Sequence, residues 1–298
     1  LEQAYLVLLL SSAAVTAAAV QGEAFLLRQE YPAEFGQGAE GLLARLTAIL
    51  SDSLRQCRFL GIEPAGSSFI LPSPFESGGE LSRLLTPGSG VYGVSIREEL
   101  QWRIGGGREL RFSSLGELFC LRECVWGEGQ ELGRAVTLYL DAGMEAGFFA
   151  EGQLVKDSPL VPENGWLYRQ PLGNSIAERY ASASGIRRLT NTLPALSGIP
   201  ELGELARLSR KGDLQAGIFC QEFGQRLAEL LVPWCLRFQA DGLILGGHAW
   251  EDFPLITGAL RQALNAREIS FQISSVFGGD LLPAASLLFQ ETREPHDL

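Results

Sequence analysis

One pattern limits the fold of this chain more than any other: three short strands followed by a helix, written twice. Apolar runs at residues 6–10, 15–20 and 24–28 read as strands, with turns at Ser11-Ser12-Ala13 and Gln21-Gly22-Glu23. The helix that follows carries Leu42, Leu46, Ile49, Leu50 and Leu54 on one face. The order begins again at Ala135, with strands over 135–140, 148–150 and 154–155, a turn at Glu151-Gly152, a loop, and a helix starting at Ile176. Such a repeat predicts two related α/β units, each with its own sheet.

The segments between and after the repeats complete the picture. Residues 58–62 read as a short strand ending at Pro64-Ala65-Gly66, and 67–93, rich in Ser, Gly and Pro, as an irregular loop region. A short amphipathic helix over 95–104 is stopped by Gly105-Gly106-Gly107, 110–112 is a brief strand, and Ser113-Ser114 opens an apolar helix running to about Val125. Residues 213–238 form a long helix with Phe219, Phe223, Leu227, Leu230, Leu231, Trp234 and Phe238 on one side, and Pro233 is expected to kink it. A buried strand at 243–245 ends in Gly246-Gly247. A helix over 253–264, a strand over 269–273 and a closing helix over 282–289 follow. The expected domains are 1–113 and 114–280, with 281–298 returning to the first lobe.

The chain has a formal net charge of -11 and a pI near 4.8, so it lacks the basic footprint of a nucleic-acid binder. Its five cysteines are odd in number and show no paired CxxC spacing, which argues against a disulfide framework. Cys120 and Cys124 read as core residues of a helix. Two histidines, His248 and His296, are too few for a histidine-rich metal site. Residues 4–20 are apolar enough to imitate a signal-peptide core, but Glu2 precedes them and Ser11-Ser12 breaks them. They are read as buried strands, with no membrane association and a cytoplasmic location expected. The chain begins at Leu1 rather than Met, from which a trimmed upstream tag or domain is expected.

The stretch Gly173-Asn174-Ser175-Ile176-Ala177-Glu178-Arg179-Tyr180-Ala181-Ser182 reads as a loop breaking into a helix. Ser175 and Glu178 have capping-box spacing, and Ile176, Tyr180 and Ile186 supply an inward stripe. The part from Ala177 to Ser182 resembles the start of a helix in the ROK family (repressors, open reading frames, kinases), which are sugar kinases and sugar-responsive regulators. Gly242-Leu243-Ile244-Leu245-Gly246-Gly247 is similar to the family's strand ending in Gly-Gly near the nucleotide. Gly279-Asp280-Leu281-Leu282-Pro283-Ala284-Ala285 is similar to its final Gly-Ala-Ala helix start, and Glu163-Asn164-Gly165-Trp166 stands where the family has Glu-x-Gly-His. The matches keep the family's order along nearly the whole chain. The fold they imply is α/β, two-lobed and actin/hexokinase-like (ribonuclease H-like), with a cleft between the lobes.

Position by position, the resemblance implies a site that has lost its phosphate chemistry. Phosphoryl transfer needs a metal–phosphate clamp and a base for the attacking hydroxyl. The family's Asp-x-Gly-Gly-Thr hairpin reads Leu9-Leu10-Ser11-Ser12-Ala13 here, and Leu9 offers no oxygen to Mg²⁺. The family's Asn-Asp pair, whose Asp is the base, is Ser113-Ser114. A serine there lacks useful basicity and either binds ligand or caps the helix. Glu117 is the only stand-in base, and it is expected to face another side. The second phosphate hairpin, 141–147, keeps Gly143 and Gly147 but puts Asp141 and Glu145 where a triphosphate would lie. Gly143, Gly147, Gly246 and Gly247 are the implied nucleotide-binding positions.

Trp166 replaces the zinc-ligating His, and residues 167–175 contain no Cys, so the family's structural zinc has no ligands. Glu163 and Glu178 match two sugar contacts; Glu163 also reads as a solvated loop residue and Glu178 as half of a capping box. Trp166 either stacks on a ligand or fills the space of the missing zinc loop. Ser113 and Ser114 join Glu163, Trp166 and Glu178 as the candidate sugar-binding set. The implied function is a catalytically degenerate, carbohydrate-binding or regulatory module that pairs as a homodimer and needs no cofactor. The alternatives are an active ATP- and Mg²⁺-dependent sugar kinase and a ligand-free homodimeric scaffold.

Overall fold

The computed structural model describes residues 3–11, 14–34, 38–71, 75–78, 81–84, 95–104, 107–140, 143–198, 201–247 and 253–290. The chain divides into two compact units, Leu1–Leu118 with Gly278–Leu298, and Phe119–Phe277. Each contains a five-stranded sheet, and the two sheets share one topology.

In the first unit β1 (Tyr5–Leu10), β2 (Ala14–Gln21) and β3 (Ala24–Pro32) form an antiparallel meander. Helix α1 (Gly38–Phe59) leads to β4 (Gly66–Ile70), which pairs parallel to β1. A small hairpin of β5 (Phe75–Gly78) and β6 (Leu81–Leu84), then helix α2 (Ile96–Ile104), lead to β7 (Glu109–Ser113), parallel to β4. The sheet order is β3-β2-β1-β4-β7. Leu6, Leu8 and Leu10 of β1 pack with Leu42, Leu46, Ile49 and Leu50 of α1, all buried. Full burial of each such side chain stabilises by about 1.5–3 kcal/mol before entropy is counted.

Helix α3 (Leu115–Trp126) starts in the first unit and continues into the second. There β8 (Arg134–Leu140), β9 (Met144–Ala150) and β10 (Gln153–Leu154) repeat the meander. The short hairpin β11 (Pro171–Leu172) and β12 (Ser175–Ile176) precedes α4 (Glu178–Ala181), α5 (Ala183–Asn191), α6 (Leu202–Arg210) and the long α7 (Leu214–Phe238). Then β13 (Gly242–Gly246), α8 (Pro254–Asn265) and β14 (Ser270–Ile273) complete the order β10-β9-β8-β13-β14, with β13 parallel to both β8 and β14. Asp213 caps α7 through the amide of Ala216 at 2.9 Å, and Phe219, Phe223, Leu227, Leu230 and Leu231 bury the stripe its periodicity predicts. Glu123 of α3 is fully buried, accepts from Ser274 Oγ at 2.8 Å and the Glu128 amide at 3.1 Å, and pairs with Arg122 at 2.7 Å.

Three local expectations are corrected. Residues 58–62 are the end of α1 and its turn rather than a strand. The strand lies downstream as β4, inside the segment that reads as loop. A parallel strand covered on both faces is usually a run of branched apolar residues. This one begins Gly66-Ser67-Ser68, and both hydroxyls are buried without hydrogen-bond partners among the described residues. Gly66 has a packing reason, since a Cβ there would stand 2.4 Å from the Phe289 ring. Phe289 itself stacks on Tyr5 at 4.2 Å. The closing segment Gly278–Phe289 is wound as 3-10 turns rather than an α-helix, with Pro283 inside it. The helix expected from Ile176 starts two residues later: Ile176 is in β12 and 40% exposed, so it is no part of an inward stripe. Ile186 is buried, and Tyr180 sits at the rim with the Arg226 guanidinium 5.0 Å from its ring.

Candidate functional site

Of the sequences of the form Ser-x-x-Glu that open helices, Ser114-x-x-Glu117 and Ser175-x-x-Glu178 are used by the fold in opposite ways. At the start of α3 the box closes: Glu117 N donates to Ser114 Oγ at 3.2 Å, and Ser114 N donates to Glu117 Oε2 at 3.3 Å. Ser113, the last residue of β7, also donates to Glu117 Oε2, at 2.8 Å. Both serines are buried. Ser114, at the position of the family base, thus satisfies a helix start. The expectation that Glu117 faces another side is corrected, because its carboxylate bends back one turn onto both serines.

At the second sequence the box stays open. Ser175 is held in the β11–β12 hairpin opposite Leu172, and the Ala177 amide donates to the Gln170 carbonyl at 2.8 Å. The helix therefore begins beyond Ser175, and Ala177 stands at its N-cap with no side-chain bond. The predicted Ser175–Glu178 capping box is not formed, because the hairpin ladder claims the backbone that the cap would need. Glu178 is left free of that duty. Its carboxylate accepts instead from the Met144 amide at the start of β9 and from the Ser182 hydroxyl, while Ser182 Oγ accepts the Gly185 amide at 3.0 Å as the cap of α5. Burial pushes the Glu178 carboxyl above the usual carboxylate range, against the lowering effect of those two hydrogen bonds.

The other sugar-site candidates of this unit gather near β9. Glu163 opens the 3-10 turn Glu163–Gly165, and Trp166 joins it to a second turn, Leu167–Arg169; both turns pack on β9. Asn164 and Gly165 both take positive φ, 55° and 72°, which turns the chain sharply after Glu163. Glu163 is exposed and Trp166 partly buried. The Trp166 ring lies 6.1 Å from the Tyr168 ring, and the Arg169 guanidinium lies 5.1 Å from it. Burial pushes the Tyr168 phenol up to about 12, with the Glu178 and Glu145 carboxylates adding to the shift and Arg169 opposing it. Tyr168, Ser182 and the Met144 amide were missed by sequence reasoning. Only Ser182 carried a signal, as a serine opening a helix.

The hairpin at the start of the first unit closes on itself. Ser11 N and Ser11 Oγ both donate to the Ala14 carbonyl at 2.9 Å, and the Ala14 amide donates back to Ser11 Oγ at 3.0 Å. The Ala14 amide is thereby satisfied by the Ser11 hydroxyl and the Ser11 amide by the Ala14 carbonyl, while residues 12 and 13 lie outside the described residues. In the second unit Gly143 lies in the β8–β9 turn and Gly147 inside β9 opposite Thr137. Gly246 and Gly247 end β13 at the carboxyl edge of the sheet, where nucleotide ligands of open α/β sheets bind. Three of these glycines have packing reasons. A Cβ at Gly147 would lie 2.3 Å from Cys120 Cβ, one at Gly246 2.3 Å from the Phe119 ring, and one at Gly247, which has φ of 94°, 2.1 Å from the Leu140 carbonyl. Gly143 faces open space. Asp141 lies outside the described residues, as does His248. Among the described residues no group of three or more His, Cys, Asp or Glu side chains is placed to hold a metal ion, and no helix is long and apolar enough to cross a membrane.

No family model and no curated protein matches the chain at the sequence level. Solved structures do. A ROK hexokinase from Thermus thermophilus aligns over 98% of this chain and 99% of its own, with 18% identity and a TM-score of 0.77. A ROK family transcriptional regulator, a homologue of the E. coli MLC protein, aligns over 97% of this chain and 78% of its own, with 16% identity and a TM-score of 0.76. A ROK family protein from Streptococcus pneumoniae TIGR4 in complex with sucrose aligns over 97% and 99%, with 14% identity and a TM-score of 0.75. The duplicated meander-plus-parallel-strand sheets and this near end-to-end alignment together give the chain the α/β, actin/hexokinase-like fold of the ROK proteins.

Proposed function

We propose that this chain is a divergent ROK protein that binds a carbohydrate and does not transfer phosphate to it, serving as a sugar-responsive, cytoplasmic regulatory module that pairs with itself and needs no cofactor or zinc. The observation that carries the reading is the contrast between the two helix starts. Ser114, at the base position, is spent in a capping box with Glu117, while Glu178, at a sugar-contact position, is released from capping and held as a half-buried carboxylate. A half-buried acid with no ion pair among the described residues bears a desolvation cost, and perturbed acids of this kind gather at ligand sites. The self-closed hairpin at Ser11 and the apolar Leu9 beside it support the loss of the nucleotide clamp. The likeness to both a sugar-bound ROK protein and a ROK regulator is compatible with this reading.

Isothermal titration with glucose, N-acetylglucosamine and sucrose tests it, followed by a coupled ADP-release assay with ATP and Mg²⁺ on any sugar that binds. Sugar binding without turnover is expected, and steady sugar-dependent ADP release would overturn the loss of catalysis. A second reading, a kinase with Glu117 as base, is favoured by one observation: the Glu117 carboxylate lies at Ser113 and Ser114, where the family's base would be. If turnover is found and Glu117→Gln abolishes it while sugar affinity is kept, that second reading replaces the first.

A further inference from the structure

Helix α7 carries a second stripe besides the one that faces the core. Gln225 stands at its centre. Gln221, Ile218 and Leu214 lie 4, 7 and 11 residues before it, and Glu229, Val232 and Leu236 lie 4, 7 and 11 residues after it. At 3.6 residues per turn all of these positions fall within an arc of about 80°. Leu214, Ile218 and Leu236 are 80%, 50% and 50% exposed, although they sit on one of the best-packed helices of the unit. Single exposed leucines need no explanation, but an apolar-ended stripe along a 25-residue helix, with Glu229 as its one ionisable residue, has the charge depletion of an interface core.

The stripe is complementary to itself in one direction only. A second α7 laid antiparallel, with a two-fold axis at Gln225, sets Leu214 on the partner's Leu236 and Ile218 on the partner's Val232, each twice. It also sets Gln221 beside the partner's Glu229, where the side-chain amide donates to the carboxylate. A parallel pairing in register would instead stack the two Glu229 carboxylates, which repel. A groove of about 690 Å³ between α7 and α8 runs beside the stripe, with Val232 in its lining. Ala228, Gly258, Ala259 and Ala263 line it too, and such small side chains let a partner helix approach closely.

We infer that this face of α7 is where the chain pairs with a second copy of itself, through an antiparallel α7–α7 contact centred on Gln225. The inference rests on the self-pairing part of the reading above and names its surface. Sedimentation equilibrium of the unaltered chain and of Ile218→Glu tests it, with circular dichroism checking that the variant is folded. The unaltered chain is expected to be a dimer. The substitution, which the axis presents twice, is expected to raise the dissociation constant about a hundredfold or more. Where Ile218→Glu does not fold, Leu214→Glu, at the most exposed position of the stripe, replaces it. Cross-linking fixes the register, because the five native thiols are buried. A short bis-maleimide should join Gln225→Cys to its own partner copy, and Leu214→Cys to Leu236→Cys in a mixed sample. It should not join Leu214→Cys to itself, since those two copies would stand about 33 Å apart. A dissociation constant unchanged by the glutamate, or a dimer in which Gln225→Cys is not joined, would overturn the α7 contact and leave self-pairing through another face standing. An unaltered chain that is monomeric at every concentration would overturn the self-pairing reading and this inference together, leaving the α7 face to a different partner.

Discussion

Glu178→Gln should weaken ligand affinity while leaving stability at neutral pH nearly unchanged. The Glu178 carboxylate accepts two hydrogen bonds, from the Met144 amide and the Ser182 hydroxyl, and burial raises its pKa in spite of them. The sign follows from linkage. An acid whose folded pKa lies above its unfolded value binds more protons when folded, so stability falls as pH rises from the ordinary glutamate value through the raised one, and is level above it. Glutamine is isosteric and uncharged. It keeps one oxygen for one of the two donors, loses the other bond at about 1–2 kcal/mol, and regains the cost of holding a partly buried charge, which is of similar size.

The expected net change at neutral pH is therefore within about 1 kcal/mol of zero. The expected change in pH dependence is definite: the variant should lack the decline expected of the unaltered chain as pH rises from the ordinary glutamate value through the raised one. Urea unfolding at a series of pH values measures both quantities, and sugar titration on the same samples should show a loss of about tenfold or more. A variant that is destabilised by about 2 kcal/mol or more, with an unchanged pH slope and unchanged sugar affinity, would refute the reasoning and make Glu178 a structural anchor.

Three further outcomes are expected. Ser114→Ala should cost about 1 kcal/mol in urea unfolding through loss of the α3 cap, with sugar affinity unchanged if the serine is structural. Gly147→Ala places a Cβ 2.3 Å from Cys120 Cβ and should destabilise by about 1–3 kcal/mol, whereas Gly143→Ala, which meets nothing within 4 Å, should stay within about 0.5 kcal/mol; equal effects at the two sites would refute the packing account of Gly147. Glu123→Ala empties a fully buried acceptor site used by Ser274 Oγ and the Glu128 amide and should lower stability by about 3 kcal/mol in the same assay.

Much of the fold was legible in the sequence. The two meanders, α1, α7 and α8 follow from apolar runs and helical stripes that local burial dictates. Strand β4 was not legible, because Gly66-Ser67-Ser68 looks like a loop until its neighbours β1 and β7 claim its backbone on both sides. The candidate site was half legible. Resemblance pointed to Glu163, Trp166, Glu178, Ser113 and Ser114; the helix cap at the serine pair was legible as an alternative, whereas the open Ser175–Glu178 box and the folding back of Glu117 were not.

The sequence by itself determined the duplicated α/β architecture, and it determined that Leu9 and Ser114, which the resemblance sets against the family's metal and base carboxylates, carry no carboxylate in any conformation. Tertiary structure decided what the remaining polar groups do. Ser114-x-x-Glu117 and Ser175-x-x-Glu178 are equivalent as strings, yet one closes into a cap and the other is pulled open by a two-residue hairpin. Local spacing sets which bonds are available to a side chain. Which of them is made depends on competitors brought in from elsewhere, here the β11–β12 ladder, the Met144 amide and the Ser182 hydroxyl.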